Sequence, residues 1–299
     1  MSVREAEVRD RRPPARPPTP SRDDRPEAAV TRAAMRGENF PVAPRVLPAR
    51  LRRELVAAYR YARYVDDLGD EAPGNRTLLL DDVAAQVRSL YAGHGATDPV
   101  VAGLAPFVSR VPVPIDPWLR LVEANQVDQT VVRYESFDSL LGYCRLSAEP
   151  VGEIVLSLFR CATPERLVLS GRICSALQLL EHWQDVVEDR AAGRIYLPQE
   201  DLRYFGVAES DLDAPVASPE LRALLAFETD RALAWLDAGA PLVSTLHGWC
   251  RVAVAGYVAG GRAAARLLRR SGHDPMRVRK PRGWDIAAAA GAALVRWPG

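Results

Sequence analysis

The chain is poor in the residue types that build most metal centres and nucleophilic sites. It holds only four histidines and four cysteines among 299 residues. The cysteines (Cys144, Cys161, Cys174 and Cys250) are far apart and show no CxxC spacing, which excludes a zinc ribbon or a dithiol redox motif and fits isolated thiols in a reducing compartment. No HExxH or other paired histidine spacing occurs. Net charge is only +1, so no global field would draw in nucleic acid or an acidic membrane. No apolar run reaches the roughly 18 residues needed to span a bilayer, and the N-terminus lacks a secretory apolar segment. A cytoplasmic protein that binds no nucleic acid is expected. Strand signals are missing too: there is no useful alternating β-branched run, and no GxGxxG follows a strand pattern.

What remains is helix. Hydrophobic residues make up 48% of the chain, enough for a substantial core. Apolar spacing predicts helices at 48–70, 76–92, 97–109, 116–132, 136–146, 150–160, 164–190, 218–238, 241–270 and 284–296. Proline and glycine punctuate the connections, as helix stops should. Residues 1–37 are dominated by Arg, Pro, Asp and Glu and cannot bury enough apolar surface to offset their ordering entropy, so they read as a disordered tail. The reading is a single all-α helical bundle over 38–282, with a cavity between helices. The small apolar stretch within 283–299 follows a basic segment. It forms a C-terminal helix that either packs on the domain or makes peripheral contact with a membrane surface.

The chemistry concentrates in two acidic stretches about 120 residues apart. Asp185 and Asp189 are four residues apart in a helical pattern, and so are Asp66 and Asp70. Positions i and i+4 share a helix face, so each pair points one way. The lines that lead to them are similar: Tyr59, Arg63, Asp66, Asp70 in one, and Gln178, Glu181, Asp185, Asp189 in the other. One such pair also suits a solvated face. Two facing pairs would instead suit Mg²⁺ ions held against a diphosphate, because Mg²⁺ favours a few carboxylates with phosphate oxygens and water. Arg194 and Tyr196 bring a cation and a phenol just beyond the second pair.

These residues carry a resemblance. Glu38-Asn-Phe-Pro-Val-Ala43, Tyr59 to Glu71, Tyr143 to Gly152, Ala176-Leu-Gln-Leu179, Trp183 to Asp189, Arg194-Ile-Tyr-Leu-Pro198, Gly256-Tyr257 and Arg277 to Pro281 together resemble the head-to-head prenyl synthases, the family of squalene and phytoene synthases. The resemblance implies an isoprenoid synthase fold and a prenyl diphosphate substrate. It implies Mg²⁺ on Asp66, Asp70, Asp185 and Asp189, and phosphate contacts from Arg63, Arg194 and Arg277. Tyr59, Tyr196 and Tyr257 would lie near the departing group, Phe40, Val151 and Gly152 along the prenyl pocket, and Gln178 and Glu181 beside the substrate. Glu181 departs from the family pattern, which has Asn there. The Glu-Asn-Phe-Pro-Val stretch inclines the resemblance to the branch of the bacterial hopanoid route that turns presqualene diphosphate and water into hydroxysqualene without NADPH. That branch would pair with the enzyme that forms presqualene diphosphate. Presqualene diphosphate synthesis, phytoene synthesis and an inactive helical partner of a prenyl synthase complex are the alternatives.

Overall fold

The structure, a computed structural model, describes residues 47–278 apart from Pro112. The expected tail, the Phe40 stretch, the boundaries at 38 and 282 and the C-terminal helix lie outside the described residues. Among those described there is no strand, only one isolated parallel bridge between Arg133 and Ile195. The long helices are α1 (Ala49–Asp70), α2 (Arg76–Tyr91), α5 (Asp116–Val127), α6 (Phe137–Ser147), α7 (Glu149–Leu158), α8 (Pro164–Gln184), α11 (Pro219–Gly239) and α13 (Gly248–Arg270). Shorter turns of helix are α3 (Pro99–Ala102), α4 (Ala105–Ser109), α9 (Val186–Ala191), α10 (Gln199–Phe205) and α12 (Leu242–Thr245).

Local chemistry explains the helix starts. Asn75 accepts a hydrogen bond from Leu78 N at α2, and Thr163 caps α8 with Pro164 following it. Ser136 and Ser139 cap the start of α6 reciprocally, and Ser218 accepts from Leu221 N at α11. Gly206, with φ at 68°, occupies the left-handed position that ends α10.

Helix α8 is buried on nearly every side, from Ser170 and Gly171 through Leu179, Leu180 and Trp183 to Gln184. A helix with so little exposed face belongs in the centre, and α6, α7, α11 and α13 all pack on it. One core cluster surrounds Trp183, a second surrounds Trp118 and Tyr61, and a third joins Leu156, Leu236 and Val254. The Tyr61 hydroxyl donates to Trp118 O at 3.0 Å, so this phenol is buried with its polar end satisfied.

Several expected boundaries move. The stretch 97–109 is two short helices, because Gly103 and Pro106 interrupt it, and 241–270 is broken before Gly248. Helix α10 has no counterpart in the sequence reading. The expected helix 164–190 ends at Gln184, where Asp185 takes φ −103° and ψ 17° before α9 begins. Val187, just beyond the break, is exposed at 37%. The i, i+4 geometry of the aspartates survives the break, since Asp189 N still donates to Asp185 O at 2.8 Å.

Glu228 is among the buried acids that lie away from the cavity. Glu228 on α11 is fully buried, beside Arg231 at 3.2 Å and close to Asp201 on α10 and Glu200. Burial pushes its carboxyl up to about 8, partly countered by Arg231 and reinforced by Asp201. The native state therefore holds a proton that the unfolded chain releases near pH 4.5. Stability falls as pH rises from there to about 8 and is level beyond. Glu228→Gln should remove that fall and make the protein more stable than the parent at pH 8.5. The gain should be on the order of 2–4 kcal/mol, at about 1.4 kcal/mol per pH unit, and thermal melts across pH 5–9 check it.

Candidate active site

A cavity of about 380 Å³ runs between α1, α5, α6, α7, α8 and α13. Asp66, Asp70, Asp185 and Asp189 all line it, as do Tyr59, Arg63, Val151, Gly152, Gln178, Glu181, Arg194, Tyr196 and Tyr257. Both lines of residues read from the sequence thus face one space. Its far part is apolar, with Leu156, Ile173, Leu177, Leu242 and Val254 on the wall. Ile173 is twelve residues before Asp185 along α8, so the apolar part lies about 18 Å from the acids at 1.5 Å per residue.

Arg194 gathers the acidic end. Its Nη1 donates to Asp70 Oδ1 at 2.7 Å, although the two residues are 124 positions apart. Burial tends to lower the guanidinium's pKa, but Tyr196, Asp70 and Asp128 together raise it, so its charge is secure. Arg194 is placed by Ile195, whose N–H donates to Val132 O, and by its own N–H donating to Asp189 O.

Four residues that the sequence reading passed over as site residues complete this end. Asp128 accepts from Tyr143 Oη at 2.6 Å and from Tyr196 Oη at 3.3 Å. Burial raises the Asp128 carboxyl above its ordinary range, while Tyr143 and Arg194 oppose the rise. His182 stacks on Tyr196, with ring centroids 3.6 Å apart, and its Nδ1 lies 3.4 Å from Asp189 Oδ2. Asn125 Nδ2 donates to Asp66 Oδ1 at 3.0 Å and to Leu121 O at 3.2 Å. The missed signal was the polar run Asn125, Asp128, Gln129 at helical spacing beside apolar Leu121 and Val122. Its partners come from other helices, which no local pattern announces.

Glycine admits Asn125. A Cβ on Gly69 would sit 2.3 Å from Asn125 Oδ1, so α5 can approach α1 and hold Asp66 only because that carbon is absent. Gln129 Nε2 adds a bond to Gly69 O at 3.0 Å. Gly152 serves the same end on α7, since its Cβ would lie 2.3 Å from Ser170 Oγ. Close approach rather than a bend is its role.

One sequence expectation changes, and the surroundings of two other residues become visible. Arg277 is not on the cavity wall: it follows α13 in a short 3₁₀ turn (Pro275–Arg277), 70% exposed and 3.4 Å from buried Asp274. Arg63 reaches the cavity but its Nε is engaged by half-exposed Asp67 at 2.8 Å, which turns Asp67 outward. His182 engages Gln178 and Asp189, and Glu181 points to the cavity. Phe40 lies outside the described residues.

The donor set suits a hard cation. Among the described residues no three His, Cys, Asp or Glu groups converge into a cage for one ion. Carboxylates spread along a wall, without sulfur and with one engaged imidazole, leave coordination positions for water and phosphate oxygens, as Mg²⁺ favours. No described helix is long and apolar enough to cross a membrane.

An all-α bundle enclosing a cavity with acids at one end and apolar walls beyond is the isoprenoid synthase fold. The squalene/phytoene synthase family model matches residues 34–285, and the chain belongs to that family of prenyl-diphosphate-processing enzymes. It is similar to a phytoene synthase of Mycobacterium tuberculosis, 34% identical over 73% of this chain and 72% of that protein. It is also similar to a hydroxysqualene synthase of Rhodopseudomonas palustris, 33% identical over 72% of this chain and 73% of that one. Among solved structures, the squalene synthase HpnC of Alicyclobacillus acidocaldarius superposes with a TM-score of 0.75 at 39% identity, over 82% of this chain and 94% of that one.

The notch at Gly69 gives a test by coupling. Gly69→Ala should destabilise the parent by about 1–3 kcal/mol through overpacking against buried Asn125. In an Asn125→Ala background the same substitution should cost clearly less, since only the 3.1 Å approach to the Cβ at position 125 remains. Chemical denaturation of the four proteins measures both.

Proposed function

We propose that this enzyme converts presqualene diphosphate and water into hydroxysqualene, releasing diphosphate. The observation that carries the reading is the single cavity in which both aspartate pairs and Arg194 occupy one end and apolar walls the rest. The Glu38-Asn-Phe-Pro-Val stretch and the similarity to hydroxysqualene synthases support this branch. The similarity to phytoene synthases favours the second reading, head-to-head condensation of two prenyl diphosphates.

Asp66, Asp70, Asp185 and Asp189 are the residues that would hold Mg²⁺. Bound there, the metal would supply positive charge against the leaving group. Asn125 orients Asp66, Arg194 orients Asp70, and Arg63 and Arg194 present cationic donors to phosphate oxygens. The carbon–oxygen bond breaks with its electron pair passing to diphosphate, which leaves a carbocation between apolar walls that exclude bulk water. Tyr59, Tyr196 and Tyr257 line this space, and a ring face presented to it would favour a cation there. Gln178, a polar group on the same wall, would hold a single water. Its oxygen bonds to the carbocation, and its proton passes to the released diphosphate.

Incubation with presqualene diphosphate and Mg²⁺ should give hydroxysqualene that carries oxygen from labelled water, with no rate change on adding NADPH. Squalene with consumption of NADPH, or presqualene diphosphate or phytoene as the sole product from shorter diphosphates, would overturn the assignment. Asp185→Asn and Asp70→Asn should each lower turnover at least 100-fold, on the scale of losing one electrostatic stabiliser. Asp185→Asn should not lower the melting temperature, because it removes one of several clustered like charges, whereas Asp70→Asn also breaks the 2.7 Å pair with Arg194 and should lower it.

A further inference from the structure

Behind the acidic wall lies a second, much smaller cavity of about 10 Å³, the size that admits one water molecule. His182, Asp189, Arg194 and Tyr196 line both spaces, so these four side chains form the partition between them. Val186 and Leu212 close the back of the small one. Two of its lining residues carry buried polar atoms that make no well-formed hydrogen bond to the protein: Arg194 Nε, and Asp189 Oδ2, which has only the long 3.4 Å approach of His182 Nδ1. A buried donor or acceptor left unmade costs about 1–3 kcal/mol, so native proteins supply a partner.

The chemistry of the two atoms selects the occupant. Arg194 Nε is a donor only and repels a cation. Asp189 Oδ2 is an acceptor and repels an anion. A neutral molecule that both accepts and donates satisfies them together, and at this size that is water. His182 stands beside them, with Nδ1 3.4 Å from Asp189 Oδ2 and Nε2 3.1 Å from Gln178 Nε2.

We infer that the small cavity is a built water site, and that its water bridges Arg194 Nε to Asp189 Oδ2. Arg194 then spans both acid pairs, through Nη1 directly to Asp70 and through Nε and the water to Asp189. The bridge turns one oxygen of Asp189 inward and leaves the other for the large cavity. The inference concerns the protein alone and holds whichever prenyl diphosphate the enzyme takes.

Crystals of the full chain grown without Mg²⁺, diffracting to about 1.8 Å or better, test it directly. A density peak within hydrogen-bond distance of both atoms is expected. A dry cavity, or direct contact between Nε and Asp189, overturns the proposal. The variant Val186→Ile tests whether the water contributes, because its added methyl group would occupy the water's volume. Filling an empty apolar void stabilises a protein. Displacing this water orphans a donor and an acceptor, so the melting temperature should fall by about 2–4 °C. A variant as stable as the parent, or more so, overturns the bridging role.

Discussion

The ion pair between Arg194 and Asp70, 2.7 Å long, is the constraint on which the rest of the site depends. Four aspartates on one wall repel one another unless cations lie among them. A guanidinium delivered from a loop beyond α9 supplies a fixed countercharge, and it joins the end of α1 to the segment after α8. Its position is set by backbone bonds from Arg194 to Asp189 and from Ile195 to Val132, not by a flexible reach across solvent. The fold sets Arg194 and Arg63 on the same wall as the four aspartates, so this end of the cavity carries both signs of charge. That is the condition in which a divalent ion and an anionic substrate bind together.

The surrounding bundle explains how so polar an end coexists with an apolar interior. Helix α8 is central and buried nearly all round, so its side chains must be divided by depth rather than by face. Near Asp185 it presents Gln178, Glu181 and His182, and farther down Ile173 and Leu177. Polar groups at the acidic end satisfy one another: Asp128 with Tyr143 and Tyr196, Asn125 with Asp66, His182 with Gln178. Glycine keeps neighbouring helices close enough for this, at Gly69 against Asn125 and at Gly152 against Ser170. Asp128 and its tyrosines have a dual character: burial favours the neutral acid while the phenols and Arg194 favour the ion. Such a balance is sensitive to charge arriving nearby.

Much of this was legible in the chain before it folded. Helical spacing and the absence of strand patterns indicate an all-α bundle, and the two acidic lines read from sequence do face one cavity. Less visible were the features that rest on pairs distant in sequence. Asn125 and Asp128 look like ordinary polar positions on a surface helix until α1, α6 and the Arg194 loop close over them. Arg277, basic and near the end of the family match, looks like a phosphate ligand, yet Asp274, itself held by Arg222 at 2.7 Å, keeps it outside.

The sequence by itself determined the helices, the paired carboxylates and the family, because each rests on periods of three to four residues or on short contiguous motifs. Only the tertiary structure decided which cation answers which acid and where helix α8 breaks at Asp185. It alone placed the small cavity behind Asp189. Those depend on the packing of side chains more than a hundred residues apart, and on single absent carbon atoms such as the Cβ of Gly69. No local pattern encodes the distance between two helices that meet only when the core has formed.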